Sequence, residues 1–161
     1  MPRHPSVPSR RGARRVPALP ASRLLPPAAL SPKRQGELAE LAFLHRAAAL
    51  GLIVMKPFGD SAPYDIVVDN GSRLLKLQIK SAASPRNGAY EINAARGRFI
   101  KRPYTRRDID FLAAYLIPED TWYIFPLSAF SPRKTMRLHP NRRSSYKEAW
   151  HFLLYKLQIG N

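Results

Sequence analysis

Cysteine is absent from this 161-residue chain, which excludes disulfides and thiolate metal centres and is compatible with a reducing compartment. Histidine is scarce, and His4, His45, His139 and His151 show no ligand spacing, so a zinc site is not expected. The longest apolar run, Ala47 to Met55, falls far short of the ~20 residues that span a bilayer, and no membrane partner is expected. Neither a GxSxG nucleophile elbow nor a glycine-rich phosphate loop occurs, so no small-molecule cofactor is expected either. Acids are few: 11 Asp and Glu stand against 27 Lys and Arg, a net charge of +16. An excess of that sign favours a polyanionic partner held through phosphate contacts and counterion release. Nucleic acid, and with it a cytoplasmic, nucleoid-associated setting, is the expectation.

The positive charge is unevenly spread. Residues 1 to 34 hold eight basic residues (Arg3, Arg10, Arg11, Arg14, Arg15, Arg23, Lys33, Arg34), no acid, and eight of the sixteen prolines. Such a stretch has little apolar surface to bury and too many prolines for regular structure. The expected organisation is a disordered basic arm over residues 1–32, which grips phosphates nonspecifically, followed by one domain over residues 33–161.

Within that domain the densest information lies between Tyr64 and Lys80. Two runs of β-favouring residues flank the turn signals Asn70-Gly71 and Gly71-Ser72, which predicts a β-hairpin. With Gly71-Ser72 as the loop, or with a four-residue loop closing on Asp69 and Leu74, Asp65 lies opposite Gln78 with Lys80 diagonal to it. All three then share one face, while Ile66, Val68, Leu75, Leu77 and Ile79 take the other. An Asn70-Gly71 loop would instead set Asp65 against Lys76 and carry Lys80 out of reach, and a three-residue loop would invert the facing of one strand.

Pro63-Tyr64-Asp65 followed by Gln78-Ile79-Lys80 resembles the PD-(D/E)xK nuclease superfamily, in which an Asp opens one strand and an acid-x-Lys pair lies on the next. Gln78 stands where most members carry Asp or Glu. It is similar in this to a subgroup that includes a family of group I intron homing endonucleases, and the likeness runs from about Lys33 to about Phe130. The resemblance implies a restriction-endonuclease-like α/β fold, a mixed central β-sheet flanked by helices. Upstream, Gly36-Glu37-Leu38-Ala39-Glu40 resembles the family's first motif, which implies Glu40 rather than Glu37 as a metal-site acid.

The chemistry fits these residue types. Carboxylates hold hard divalent cations, Mg²⁺ or Mn²⁺, through oxygen, so Glu40, Asp65 and Gln78 form the expected metal set. Lys80 completes the expected catalytic group by orienting a water or steadying negative charge on the phosphate. The expected function is metal-dependent hydrolysis of DNA phosphodiester bonds, homing-endonuclease-like or specific for junction structures. The alternative is a catalytically inactive nucleic-acid-binding module on the same fold. Cutting two strands favours a homo-oligomer, a dimer or tetramer.

Around this site the pattern is coarser. Ser31-Pro32 opens a helix that runs to a cap at Gly51, with Leu38, Leu41, Ala42, Ala48 and Ala49 near helical spacing as its apolar stripe. From Arg86 to Arg107, seven basic residues and one acid are interleaved with Tyr90, Phe99 and Tyr104. Arg96, Arg98, Lys101 and Arg102 are the expected DNA contacts, with Tyr90 and Ile92 alternating like strand residues and Phe99 as a core anchor. Asp110 to Ile117 and Trp122 to Phe125 predict two strands buried on both faces, with Asp110 as a strand-start cap. Tyr146 to Leu157 predicts an amphipathic helix carrying Trp150, Leu153, Leu154 and Leu157.

Overall fold

A computed structural model describes residues 29–97 and 99–154. The expected arm therefore lies outside the described residues up to position 28, as do Arg98 and Leu157. Helix α1 (Pro32–Ala49) starts where Ser31 Oγ accepts from Arg34 N, with proline in the first turn, where its missing N–H costs nothing. It ends as Gly51 enters the left-handed region at φ +77°.

Strands β1 (Ile53–Met55), β2 (Ile66–Asp69) and β3 (Leu74–Ala82) form an antiparallel meander. Three short strands follow: β4 (Tyr90–Asn93), β5 (Ala95–Arg96) and β6 (Arg102–Pro103). Then come β7 (Phe111–Leu116), β8 (Thr121–Pro126), a one-turn helix α2 (Leu127–Phe130) and β9 (Thr135–Leu138). The central five-stranded sheet has the order β1-β2-β3-β7-β8, with β3 and β7 parallel and the other pairs antiparallel. It is the mixed sheet that the sequence predicts, and β7 is buried along its whole length.

The hairpin register is Ile66↔Leu77, Val68↔Leu75 and Asp69↔Leu74, which continues to place Asp65 opposite Gln78. Asn70 N donates to Arg73 O at 3.3 Å, leaving Gly71 and Ser72 at the tip, with Gly71 at φ +85°. The side chains of Asp69 and Asn70 accept from Gly71 N and from Ser72 and Arg73 N, so the turn is specified by its own residues.

Two cores sandwich the sheet. On one face Ile66, Val68, Leu75, Leu77 and Ile79 pack with Phe43 of α1 and with Trp122 and Trp150. Phe43 meets Trp122 edge-on at 5.5 Å between centroids, and burying its side chain contributes about 1.5–3 kcal/mol. On the other face Leu112, Ala114 and Tyr123 are covered by Tyr90 and Ile92 of β4, Met136 and Leu138 of β9, and Tyr104, Ile109 and Phe130.

Three expectations are corrected. The buried stripe of α1 is Ala39, Phe43 and Ala47, whereas Leu38, Leu41, Ala48 and Ala49 are exposed. The helix is apolar on several sides, and the small alanines let it approach the sheet. Phe99 is 90% exposed and anchors no core. The described part of the expected C-terminal helix is turns and a short 3₁₀ segment, Trp150–Phe152. Its backbone is engaged by the edge of β8: Ile124 N donates to Tyr146 O at 2.9 Å and Glu148 N to Trp122 O at 2.8 Å. The Glu148 carboxylate accepts from Trp122 N and Trp150 Nε1, and Glu148 itself sits at φ +49°, incompatible with a continuing helix.

Candidate active site

Asp65 enters the hairpin one residue before β2, delivered by the loop Gly59-Asp60-Ser61-Ala62-Pro63, and its N–H donates to Leu77 O at 2.9 Å. Its Oδ2 accepts twice, from Ile79 N at 2.8 Å and from Gln78 Nε2. Oδ1 accepts no bond among the described residues and stays open to a ligand. Gln78 and Lys80 lie in register with Leu112 and Ala114 of β7, so they stand on the face opposite α1. There they line an open cleft of about 470 Å³ with Asp65, Lys101, Arg96 and Tyr104.

Burial sets the electrostatics. It pushes the Asp65 carboxyl above its ordinary value, against the pull of the Ile79 bond and of Lys80. It pushes the Lys80 ammonium down, with Asp65 opposing and Lys101 assisting. Two groups of opposite charge, each drawn toward neutrality in one cleft, are the condition in which protons move at modest cost.

Glu40 does not share that cleft. It comes from α1, which packs on the other face of the sheet, and it lines an adjoining cleft of about 220 Å³ with Lys56, Asp60, Tyr64 and Asp65. Asp65 borders both. The Lys56 ammonium lies 2.5 Å from Glu40 Oε2, and the bond to Glu40 raises its pKa. Glu37 is exposed on the helix.

Glu40 and Asp65 supply hard carboxylate oxygens, and the Gln78 amide, its nitrogen turned to Asp65, keeps an oxygen free. Such a donor set fits Mg²⁺ or Mn²⁺. Among the described residues no three His, Cys, Asp or Glu side chains converge, consistent with an amide at position 78.

The expected DNA contacts divide. Lys101 lines the cleft itself. Arg96 faces it too, but is ion-paired with buried Asp108. Arg102 opens onto a neighbouring basic cleft of about 750 Å³ with Arg96, Arg106 and Arg107. Burial would raise the Asp108 carboxyl, yet bonds from Thr105 Oγ1 and N, together with Arg96, hold it below the usual range. Asp110 clasps β3, its Oδ2 accepting from Lys76 N at 2.8 Å, which is the cap role expected. Nothing in the local pattern marks Lys56, and Tyr104, Arg106 and Arg107 stand out only as members of the basic and aromatic run, with no individual role. Only the basic character of Arg86 to Arg107 was a usable signal for the last two.

A mixed sheet with an Asp before one strand and Gln-x-Lys on the next defines a class. A family profile described as PD-(D/E)XK endonuclease matches residues 30–153, and the chain belongs to that family, as a nuclease. The solved structure of a bacterial homing endonuclease, I-Ssp6803I, is similar at 34% sequence identity and a TM-score of 0.68, over 78% of this chain and 94% of that one. Nothing matches among curated proteins.

Proposed function

We propose that this nuclease is a divalent-metal-dependent DNA endonuclease of the homing type, with Asp65, Gln78 and Lys80 as its catalytic centre and Glu40 beside it. The observation that carries the reading is the Asp65 carboxylate, held through Oδ2 by Gln78 and Ile79 with Oδ1 open, next to a half-buried Lys80 in one cleft. The homing assignment is supported by the 34% identity to I-Ssp6803I.

Asp65, which borders both clefts, would hold Mg²⁺ or Mn²⁺ together with the Gln78 amide oxygen on one side or with Glu40 on the other, and the ion would supply Lewis-acid polarisation of a phosphoryl oxygen. Lys80 Nζ donates to the attacking water or to the phosphate, and its depressed pKa lets it share a proton at lower cost than an exposed lysine. Hydrolysis joins the water oxygen to phosphorus and breaks one phosphorus–oxygen bond of the backbone, the proton that the water loses being balanced by one taken up by the departing oxygen. Arg102, Lys101, Arg106 and Arg107 hold flanking phosphates, and Arg96 is positioned between the two clefts. A homo-oligomer is supported by β1, an edge strand among the described residues with exposed Ile53 and Met55, and by exposed Leu41 of α1. A monomeric mass by light scattering at micromolar concentration would remove that part.

The test is supercoiled plasmid with Mg²⁺ or Mn²⁺, with Asp65→Ala and Lys80→Ala as controls. Nicking by the parent chain, lost in both variants while most DNA affinity remains, is expected. Binding without nicking across substrates and ions would leave the noncatalytic DNA-binding module.

A further inference from the structure

Tyr104 follows β6 and is 3% exposed, its ring packed in the second core. Its backbone is fixed on both sides. Tyr104 O accepts from Ser131 Oγ at 3.1 Å, and the next residue, Thr105, donates from both N and Oγ1 to Asp108. The Tyr104 hydroxyl makes no hydrogen bond among the described residues, and since no fully buried side-chain nitrogen or oxygen there lacks a partner, that hydroxyl is the solvent-reached tip of an otherwise buried ring. The side chain nonetheless lines the cleft that contains Asp65, Lys80 and Lys101.

An unpaired donor on a rigid ring, set in the wall of a cleft lined by Lys80, Arg96 and Lys101 beside Asp65, is placed for an oxygen that arrives with the substrate. We propose that the Tyr104 hydroxyl donates a hydrogen bond to a non-bridging oxygen of the DNA phosphate seated over Asp65 and Lys80. The inference rests on the nuclease reading of that cleft and adds a residue to it. Burial, reinforced by the nearby Asp65 carboxylate, pushes the hydroxyl up to about 12, so it remains a proton donor throughout the working pH range. It contacts the phosphate without exchanging a proton. Loss of that hydroxyl therefore leaves the pH profile of cleavage where it is.

Tyr104→Phe removes the hydroxyl and keeps the ring. Because that hydroxyl has no partner among the described residues, the melting temperature stays unchanged or rises slightly. Single-turnover cleavage of plasmid falls on the order of 10²-fold, as for loss of one transition-state donor, with an unshifted pH profile. A second readout does not depend on cleavage. In full-length, metal-free protein labelled with ¹³Cζ-tyrosine, the resonance missing from Tyr104→Phe moves when duplex DNA is added. If the parent chain cuts and Tyr104→Phe keeps pace, or if that resonance ignores DNA, the contact is overturned. If the parent chain never cuts but the resonance moves, the contact stands and the nuclease reading falls.

Discussion

At residue scale, Gln78 does for Asp65 what a carboxylate there could not. Its Nε2 donates to Oδ2, so a half-buried acid gains a partner without gaining a like charge. Burial already raises Asp65, and the sign follows. An acid raised in the folded state contributes stability that is complete below its ordinary value of 3.8 and is lost as pH climbs through the folded value. Gln78→Glu sets a second carboxylate on the same face and removes the N–H donor. That variant should lose about 1–3 kcal/mol at neutral pH in chelator, with the decline extended to higher pH. Mg²⁺ should restore much of the loss, because an ion bound only by the folded state stabilises it by mass action. Thermal melts across pH, with and without Mg²⁺, check both signs. A Gln78→Glu melt equal to that of the parent in chelator would remove the charge argument.

At the scale of elements, the turn from Thr105 to Asp108 links the two clefts. Asp108 binds Thr105 through N and Oγ1 and pairs with Arg96 of β5, so one buried carboxylate fixes the segment that carries Tyr104 and also restrains a basic side chain facing DNA. Its carboxyl is held low. The stability it contributes is therefore present above its ordinary value of 3.8 and is lost as pH falls through the folded value. Asp108→Ala should cost about 1–3 kcal/mol by removing those bonds. Arg96, 45% exposed at its side chain, stays hydrated and is freed for phosphate. DNA affinity should hold or rise, with a steeper salt dependence of binding, even as the melting temperature drops. Joint loss of stability and affinity would mean that the turn, not the charge, organises the DNA face.

For the whole molecule, charge and fold are separable. Six arginines precede residue 29 with no acid among them, and the described members of both cores run from Ala39 to Leu153. Deleting residues 1–28 should leave the cooperative melt intact and weaken DNA binding. The log–log salt slope should flatten by about 0.9 for each phosphate that the arm neutralises. Fluorescence anisotropy over a salt series reads the slope. An unchanged slope would show that the arm touches no phosphate, and a lost melt would make it part of the fold. The sandwich also explains why the site is split. Gln78 and Lys80 face the β4–β9 layer, Glu40 descends from the helix layer, and Asp65, placed before β2 begins, borders both clefts.

Much of this was already written along the chain. Alternation from Ile66 to Ile79 about an Asn-Gly-Ser turn narrows the hairpin to a few loops, and the structure takes the one closed by Asn70 and Arg73 that sets Asp65 beside Gln78, with one apolar face and one polar. The all-apolar run from Phe111 to Leu116 likewise announces a central strand. Tertiary structure decided what local pattern leaves degenerate. In α1, apolar residues occupy more than one face, and packing on the sheet selected Ala39, Phe43 and Ala47. Between Tyr146 and Glu148, hydrogen bonds to the edge of β8 displaced an amphipathic helix. The pairing of Lys56 with Glu40 and the open hydroxyl of Tyr104 were invisible in sequence for one reason. Each depends on where a side chain ends in space relative to residues 16 or more positions away, and only the packed layers set that distance.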